Sequence, residues 1–196
     1  MCKLERESTT KLIGLKYHQN IFEAEEIRDL EKDLNQYGIE LQTQSNAIKY
    51  IMGIEDLFPQ IQVFLSPQIV QSIGFGILSG AIWDGVKLFL CSLRKKMMKK
   101  PFARISKGEI DTNATPNIHV NIGKSHIVLP MDIDDKKFEY FVDKMFESIN
   151  HDIVTEEKYA FYDVEKETLD YYFKHEVVMK LHKQRRESEE NENKDN

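Results

Sequence analysis

The sequence has few cysteines, no apolar segment at its start and no excess of positive charge. Cys2 and Cys91 are the two cysteines among its 196 residues. They do not make a disulfide framework, which indicates a reducing compartment. The opening residues MCKLERESTT carry charges of both signs and no apolar run, so they do not resemble a signal peptide. We therefore expect a cytoplasmic location, with association with the inner membrane as the alternative.

The overall charge also limits the classes of partner. A net charge of −6 argues against general affinity for nucleic acid, because phosphate binding depends on clustered Lys and Arg. The composition is 41% hydrophobic and 31% charged, which is typical of a globular chain that can bury a core. A basic partner site would have to be local.

The pattern of apolar residues predicts an α+β fold, with a mixed sheet, covering helices and one long glycine-rich apolar helix. Predicted strands lie at 11–17, 38–43, 60–65, 102–106 and 158–164, and in a 118–129 hairpin that turns at Gly123-Lys124. Residues 107–116 are expected to form a loop.

Four helices are predicted from apolar residues that recur at steps of three and four. The first follows Asn20, which can cap it, and ends at Gly38. The second begins at Ser66-Pro67 and continues to about Lys99. The third lies within 132–150 and the last within 165–186. A short helix is also expected from Ser45.

These elements divide the chain into five segments. We expect a flexible N-terminus (1–10), a β-α-β opening subdomain (11–65), the long glycine-rich helix with a basic end (66–100), a β-hairpin with helices (101–186) and a disordered acidic tail (187–196).

The long helix contains an unusual ridge of small side chains. Ser72, Gly76, Gly80 and Asp84 recur at four-residue spacing and so share one side of a helix. Glycine in a helix interior costs about 1 kcal/mol relative to alanine, and what it offers in return is close backbone approach. The ridge therefore packs inside this protein, pairs with a second copy or a partner helix, or enters a membrane. Asp84 and Lys87 could pair and fix the register of a helix contact.

The membrane alternative uses the helix at 69–93 and the basic residues after it. That basic cluster, which could bind lipid or another anion, contains Arg94, Lys95, Lys96, Lys99 and Lys100. Asp84 and Lys87 weigh against insertion, because each would cost about 3 kcal/mol near the centre of a bilayer. A cationic end also suits the helix dipole without any ligand.

No catalytic constellation stands out in the sequence. The residues NIGKS (121–125) lack the first glycine of a phosphate-binding loop and fit a hairpin turn better. His119 and His126 fall on one face of that hairpin, opposite its apolar face, and could share a metal ion. We predict no enzyme, no cofactor and no metal; a metal-dependent hydrolase that uses the two histidines is one alternative.

Together, the β-α-β opening, the glycine-rich helix with its basic end and the stretch NIHVNIGKSHIVLP with the helix after it resemble the small effector-associated proteins of bacterial conflict systems. The resemblance spans residues 11–150. It implies an assembly or membrane-disturbing helix linked to an effector. We therefore expect a non-catalytic interaction protein of bacterial defence that forms oligomers or docks a protein partner, without specific nucleic-acid binding. The alternative from the resemblance is a membrane-associated or pore-forming effector.

Overall fold

The computed structural model describes residues 10–19, 21–46, 61–74, 80–100, 104–106, 109–111, 116, 118–149, 155–180 and 182–183. The strands are β1 (Leu12–His18), β2 (Glu40–Asn46), β3 (Ile61–Leu65), β4 (Arg104–Ser106), β5 (Glu109–Asp111), β6 (Ile118–Ile122), β7 (Ser125–Val128), β8 (Lys158–Asp163) and β9 (Thr168–Phe173). The helices are α1 (Ala24–Asn35), α2 (Pro67–Gly74), α3 (Gly80–Met98), α4 (Asp135–Glu147) and α5 (174–180).

Seven of the strands form one mixed sheet in the order β2-β1-β3-β6-β7-β8-β9. The pairs β1–β2, β3–β6 and β7–β8 are parallel, and the joins between these pairs are antiparallel. Helices separate the parallel strands in the chain, as a parallel connection requires. The architecture confirms the predicted α+β class.

One face of the sheet carries the hydrophobic core. Alternate residues of the central strands, such as Leu15, Val63 and Val120, lie side by side and are fully or almost fully buried. Buried side chains of α1, α3 and α4 join the same core cluster. In α4 the predicted stripe is confirmed: Phe138, Phe141, Val142, Met145 and Ile149 are all buried.

Two predicted turns are confirmed by their backbone. Gly123 has a φ of +59° between β6 and β7, and Gly38 has a φ of +67° between α1 and β2. Residues other than glycine rarely adopt this left-handed region, so the two glycines allow these chain reversals.

The predicted helix over 165–186 is wrong in its first half. Asp163 accepts hydrogen bonds from the backbone N–H groups of Glu165 and Lys166, and Glu167 has a φ of +54°. This tight turn reverses the chain, so residues 168–173 pair with β8 as β9. The segment TLDYYF is rich in strand-forming residues, which outweigh its weak helical spacing. The helix begins only at Lys174.

Smaller corrections concern element boundaries. The first helix begins after Glu23, whose backbone N–H donates to the Glu26 carboxylate, rather than at Asn20. Ser45 belongs to β2. The predicted 107–116 loop contains β5, which pairs with β4 in a separate two-stranded sheet. The long helix is described as α2 and α3, with 75–79 between them outside the described residues. The predicted tail at 187–196 also lies outside them.

Candidate functional site

Two residues of the predicted glycine ridge, Gly80 and Asp84, are exposed. Gly80 begins α3 and is exposed. Among the described residues, a Cβ atom added there would meet only the side chain of Asp84, 3.7 Å away. Asp84 is exposed and Ser72 is half-buried in α2. Gly76 lies outside the described residues. Gly80 therefore makes no close packing contact with the residues that the structure describes.

A different glycine packs inside the protein, and the spacing argument missed it. Gly85 is buried, and an added Cβ would lie 2.7 Å from Cγ and 2.8 Å from Cβ of Tyr37. It would also lie 3.1 Å from Cδ1 of Ile39. The absence of a side chain at Gly85 lets α3 approach the turn between α1 and β2. Gly85 lies only five positions after Gly80 in the sequence, yet Gly85 faces the interior of the protein and Gly80 faces outward.

Lys87 does not form the ion pair with Asp84 that its spacing suggested. Its Nζ lies 2.7 Å from the Asp143 carboxylate, so it joins α3 to α4. The partner is 56 positions away in sequence, and no local pattern could have indicated it. Lys87 therefore belongs to the packing of the helices, and Asp84 stays on the exposed side.

The exposed side of α3 forms a continuous ridge, which we call the α3 ridge. It consists of Ala81, Asp84, Leu88, Cys91, Lys95 and Met98. Five of these residues are exposed and Cys91 is half-buried. Leu88 is 39% exposed and Met98 is 55% exposed, so both present apolar surface on this side of the helix. Burial raises the pKa of the Cys91 thiol, so this cysteine is not an activated nucleophile.

The basic end of α3 is largely engaged within the protein. Arg94 was predicted to belong to an anion patch but is only 2% exposed. Its guanidinium donates to the Asp135 carboxylate at 2.7 Å and to the backbone carbonyls of Met131 and Ile133. The hydrogen bond from Arg94 holds the pKa of the Asp135 carboxyl below its usual range. Arg94 thus fixes the start of α4 and is not available to a ligand.

The neighbouring lysines also pair with acidic residues. Lys95 lies 3.4 Å from Asp135, Lys96 lies 3.0 Å from Asp29, and Lys100 lies 2.6 Å from Glu26. The last two pairs join α3 and the residues just after it to α1. Lys99 is exposed. The run of positive charge in the sequence is therefore largely balanced by acidic side chains, which weakens its interpretation as a lipid or anion site.

A second cluster of polar side chains lies on the opposite face of the sheet. His119 and His126 share that face, as predicted, with ring centroids 6.3 Å apart. Asn121 donates from Nδ2 to the carbonyl of Val63, so its Oδ1 faces Nδ1 of His126 at 2.5 Å. This arrangement places the proton of a neutral His126 on Nδ1. The His126 ring also stacks on Tyr159 at 4.8 Å.

His119 is the more buried of the two histidines. It is 2% exposed, and its Nε2 has no hydrogen-bond partner in the described part of the chain. Burial, followed by the proximity of His126, lowers the pKa of His119 to about 4. Burial also lowers the pKa of His126. Both imidazoles are therefore neutral near pH 7.

The geometry of this pair is a poor match to a metal centre built from the described residues. No group of three or more His, Cys, Asp or Glu side chains within the described ranges could hold an ion. Zinc binds imidazole nitrogen at about 2.0–2.1 Å, so rings 6.3 Å apart could share one ion only if both nitrogens pointed straight at it. A tetrahedral site would need the two rings closer together.

Comparison with known proteins gives no assignment, because no family model, curated protein or solved structure matches the chain. None of the helices in the described segments has the length and apolar character needed to cross a membrane.

Proposed function

We propose that this chain is a non-catalytic interaction protein that docks a partner helix on the α3 ridge. The observation that supports this function is the exposure of the ridge, on which Leu88 and Met98 present apolar surface. Ala81 on the ridge and Gly80 just before it are small and leave room for close approach. Exposed apolar side chains that lie together on one helix face are typical of interaction sites. The close approach of α3 to the turn between α1 and β2 depends on a different glycine, Gly85, which faces inward.

The exposure of Gly80 bears on the alternative that the ridge packs inside the protein. That alternative requires Gly80 to face a neighbouring element, whereas the nearest atom to an added Cβ in the described part of the chain belongs to the Asp84 side chain. A side chain added at Gly80 would meet no element of the described core. The same addition at Gly85 would collide with Tyr37.

A metal-dependent hydrolase is less well supported. Two neutral imidazoles, one of them engaged with Asn121, offer no nucleophile and no complete ligand set. The absence of an enzymatic activity stays a prediction, as do a cytoplasmic location and a role in bacterial defence.

Site-specific photo-crosslinking in the native host would test the docking function. A photoreactive residue at position 88 should give a discrete crosslinked product. The same residue at position 140, an exposed position on α4, serves as the matched control and should give none. Gly80→Leu should abolish the product at 88 and leave the melting temperature within a few degrees of wild type. The proposal fails if position 88 gives no product, or if Gly80→Leu leaves the product unchanged.

A further inference from the structure

The α3 ridge has the spacing of a coiled-coil seam. Its six residues, at 81, 84, 88, 91, 95 and 98, are separated alternately by three and four positions. This is the heptad pattern in which every seam residue faces a partner helix. The seam points away from the protein's own core, whose residues on α3 include Val86, Phe89 and Leu93.

The seam is complementary to itself when two copies run antiparallel. In that orientation the first and fourth heptad positions face each other, so Leu88 lies opposite Cys91, Asp84 opposite Lys95, and Ala81 opposite Met98. Each pairing matches in character: apolar with apolar, negative with positive, and small with large. A parallel pair would instead place Asp84 beside Asp84 and Lys95 beside Lys95, which is repulsive.

The charges of the ridge are accessible for this pairing. Asp84 is exposed, and no ion pair of Asp84 occurs within the described residues. The side chain of Lys95 is 55% exposed and its Nζ lies 3.4 Å from the Asp135 carboxylate, so its ammonium can also pair with a second carboxylate. Beside the ridge, Lys87 and Lys96 are already paired with acidic residues. Asp84 and Lys95 therefore determine the charge pattern that a partner meets.

We propose that the partner of the α3 ridge is a second copy of this chain, docked antiparallel about a twofold axis midway between Leu88 and Cys91. This inference rests on the proposed function, since it names the partner of the same surface. A twofold axis uses the same patch on both subunits and repeats each pairing twice. The 19 residues of α3 form a helix of about 28 Å. A contact of that length is smaller than a standard interface, so the dimer should be weak and concentration-dependent.

Charge reversal tests both the partner and its orientation. Asp84→Lys and Lys95→Asp should each weaken the dimer about tenfold or more, because each turns two attractive pairs into repulsive ones. The double variant Asp84→Lys/Lys95→Asp should restore association to near the wild-type level. Glu31→Lys on α1 and Lys124→Asp in the β6–β7 turn are matched controls on exposed positions. They should leave association unchanged.

Sedimentation velocity over a range of protein concentrations gives the dissociation constants, and thermal melts confirm that each variant is folded. A wild-type chain that stays monomeric overturns the inference, as does a dimer that withstands both single reversals or a double variant that fails to recover. If the purified chain is monomeric but position 88 still crosslinks to another protein, the self-association is refuted and the docking function stands. If no crosslink forms either, both are refuted.

Discussion

Acidification should destabilise this fold through His119. Burial and the adjacent His126 lower the pKa of His119 from 6.5 to about 4 in the folded chain, whereas an unfolded chain titrates near 6.5. Between these values the unfolded state binds a proton that the folded state does not. The stability is therefore fully present above about pH 6.5 and is lost as the pH falls towards 4.

The size of the loss follows from the difference between the two pKa values. The two pKa values of His119 differ by about 2.5, and each pH unit between them is worth about 1.4 kcal/mol, so the full loss is about 3.5 kcal/mol. At pH 4 the folded chain is itself half protonated at His119, so the loss there is about 3 kcal/mol. This is a large fraction of the stability of a typical domain. The lowered pKa of His126 acts in the same direction, with Glu157 opposing and Lys174 reinforcing the effect of burial.

Urea unfolding at about pH 7, 6 and 5 measures this loss directly. We expect the wild-type free energy of unfolding to fall across the series, and that of His119→Gln and His119→Phe to fall much less. His182→Gln, at an exposed position, is the control and should follow the wild type. The absolute stability of the His119 variants is immaterial, because the readout is the slope with pH. Parallel slopes for wild type and both His119 variants would refute the role of this imidazole.

Three further substitutions test the packing described above by thermal or urea unfolding. Gly85→Ala should cost about 1–3 kcal/mol, because its Cβ would overlap Tyr37; an unchanged midpoint would contradict that contact. Arg94→Met should cost about 3 kcal/mol, because it leaves buried carbonyls unpaired, and Arg94→Lys should not restore the loss if the forked geometry matters. Asp134→Ala should cost about 1 kcal/mol by removing the cap of α4, and a stability equal to wild type would show that the cap contributes nothing.

Local sequence patterns predicted the elements that are periodic along the chain. The stripe of α4 and the turn at Gly123 were predictable, because each depends on residues within a few positions of one another. β9 was mispredicted although its signals are also local: the strand-forming residues of TLDYYF and the turn at Asp163 outweigh a helical spacing of apolar residues that continues into the helix after it.

The candidate site was predictable in part. Spacing placed Gly80 and Asp84 on one side of the helix but left open whether that side is buried, and the register of the hairpin brought His119 and His126 to one face. The partners of Lys87 and Arg94 come from α4, 56 and 41 positions away. Long-range ion pairs leave no periodic trace, so a basic run that resembles a ligand site in the sequence proves to be largely engaged within the fold.

The parallel pairing of β3 with β6 has a consequence for how the chain folds. Val63 lies beside Val120, 57 positions later, which is the widest sequence separation among the strand pairs of the large sheet. The pairing of β1 with β3 comes next, since Leu15 lies beside Val63, 48 positions later. Helix α3, which lies between these strands in the chain, contacts both α1 and α4. Closing so long a loop is slow. The pairing joins the β2-β1-β3 half of the sheet to the β6-β7-β8-β9 half and so completes the core of both halves at once. A chain cut between β3 and β6 would leave each fragment with an unpaired strand edge from the middle of the sheet, so the two halves are expected to fold cooperatively or not at all.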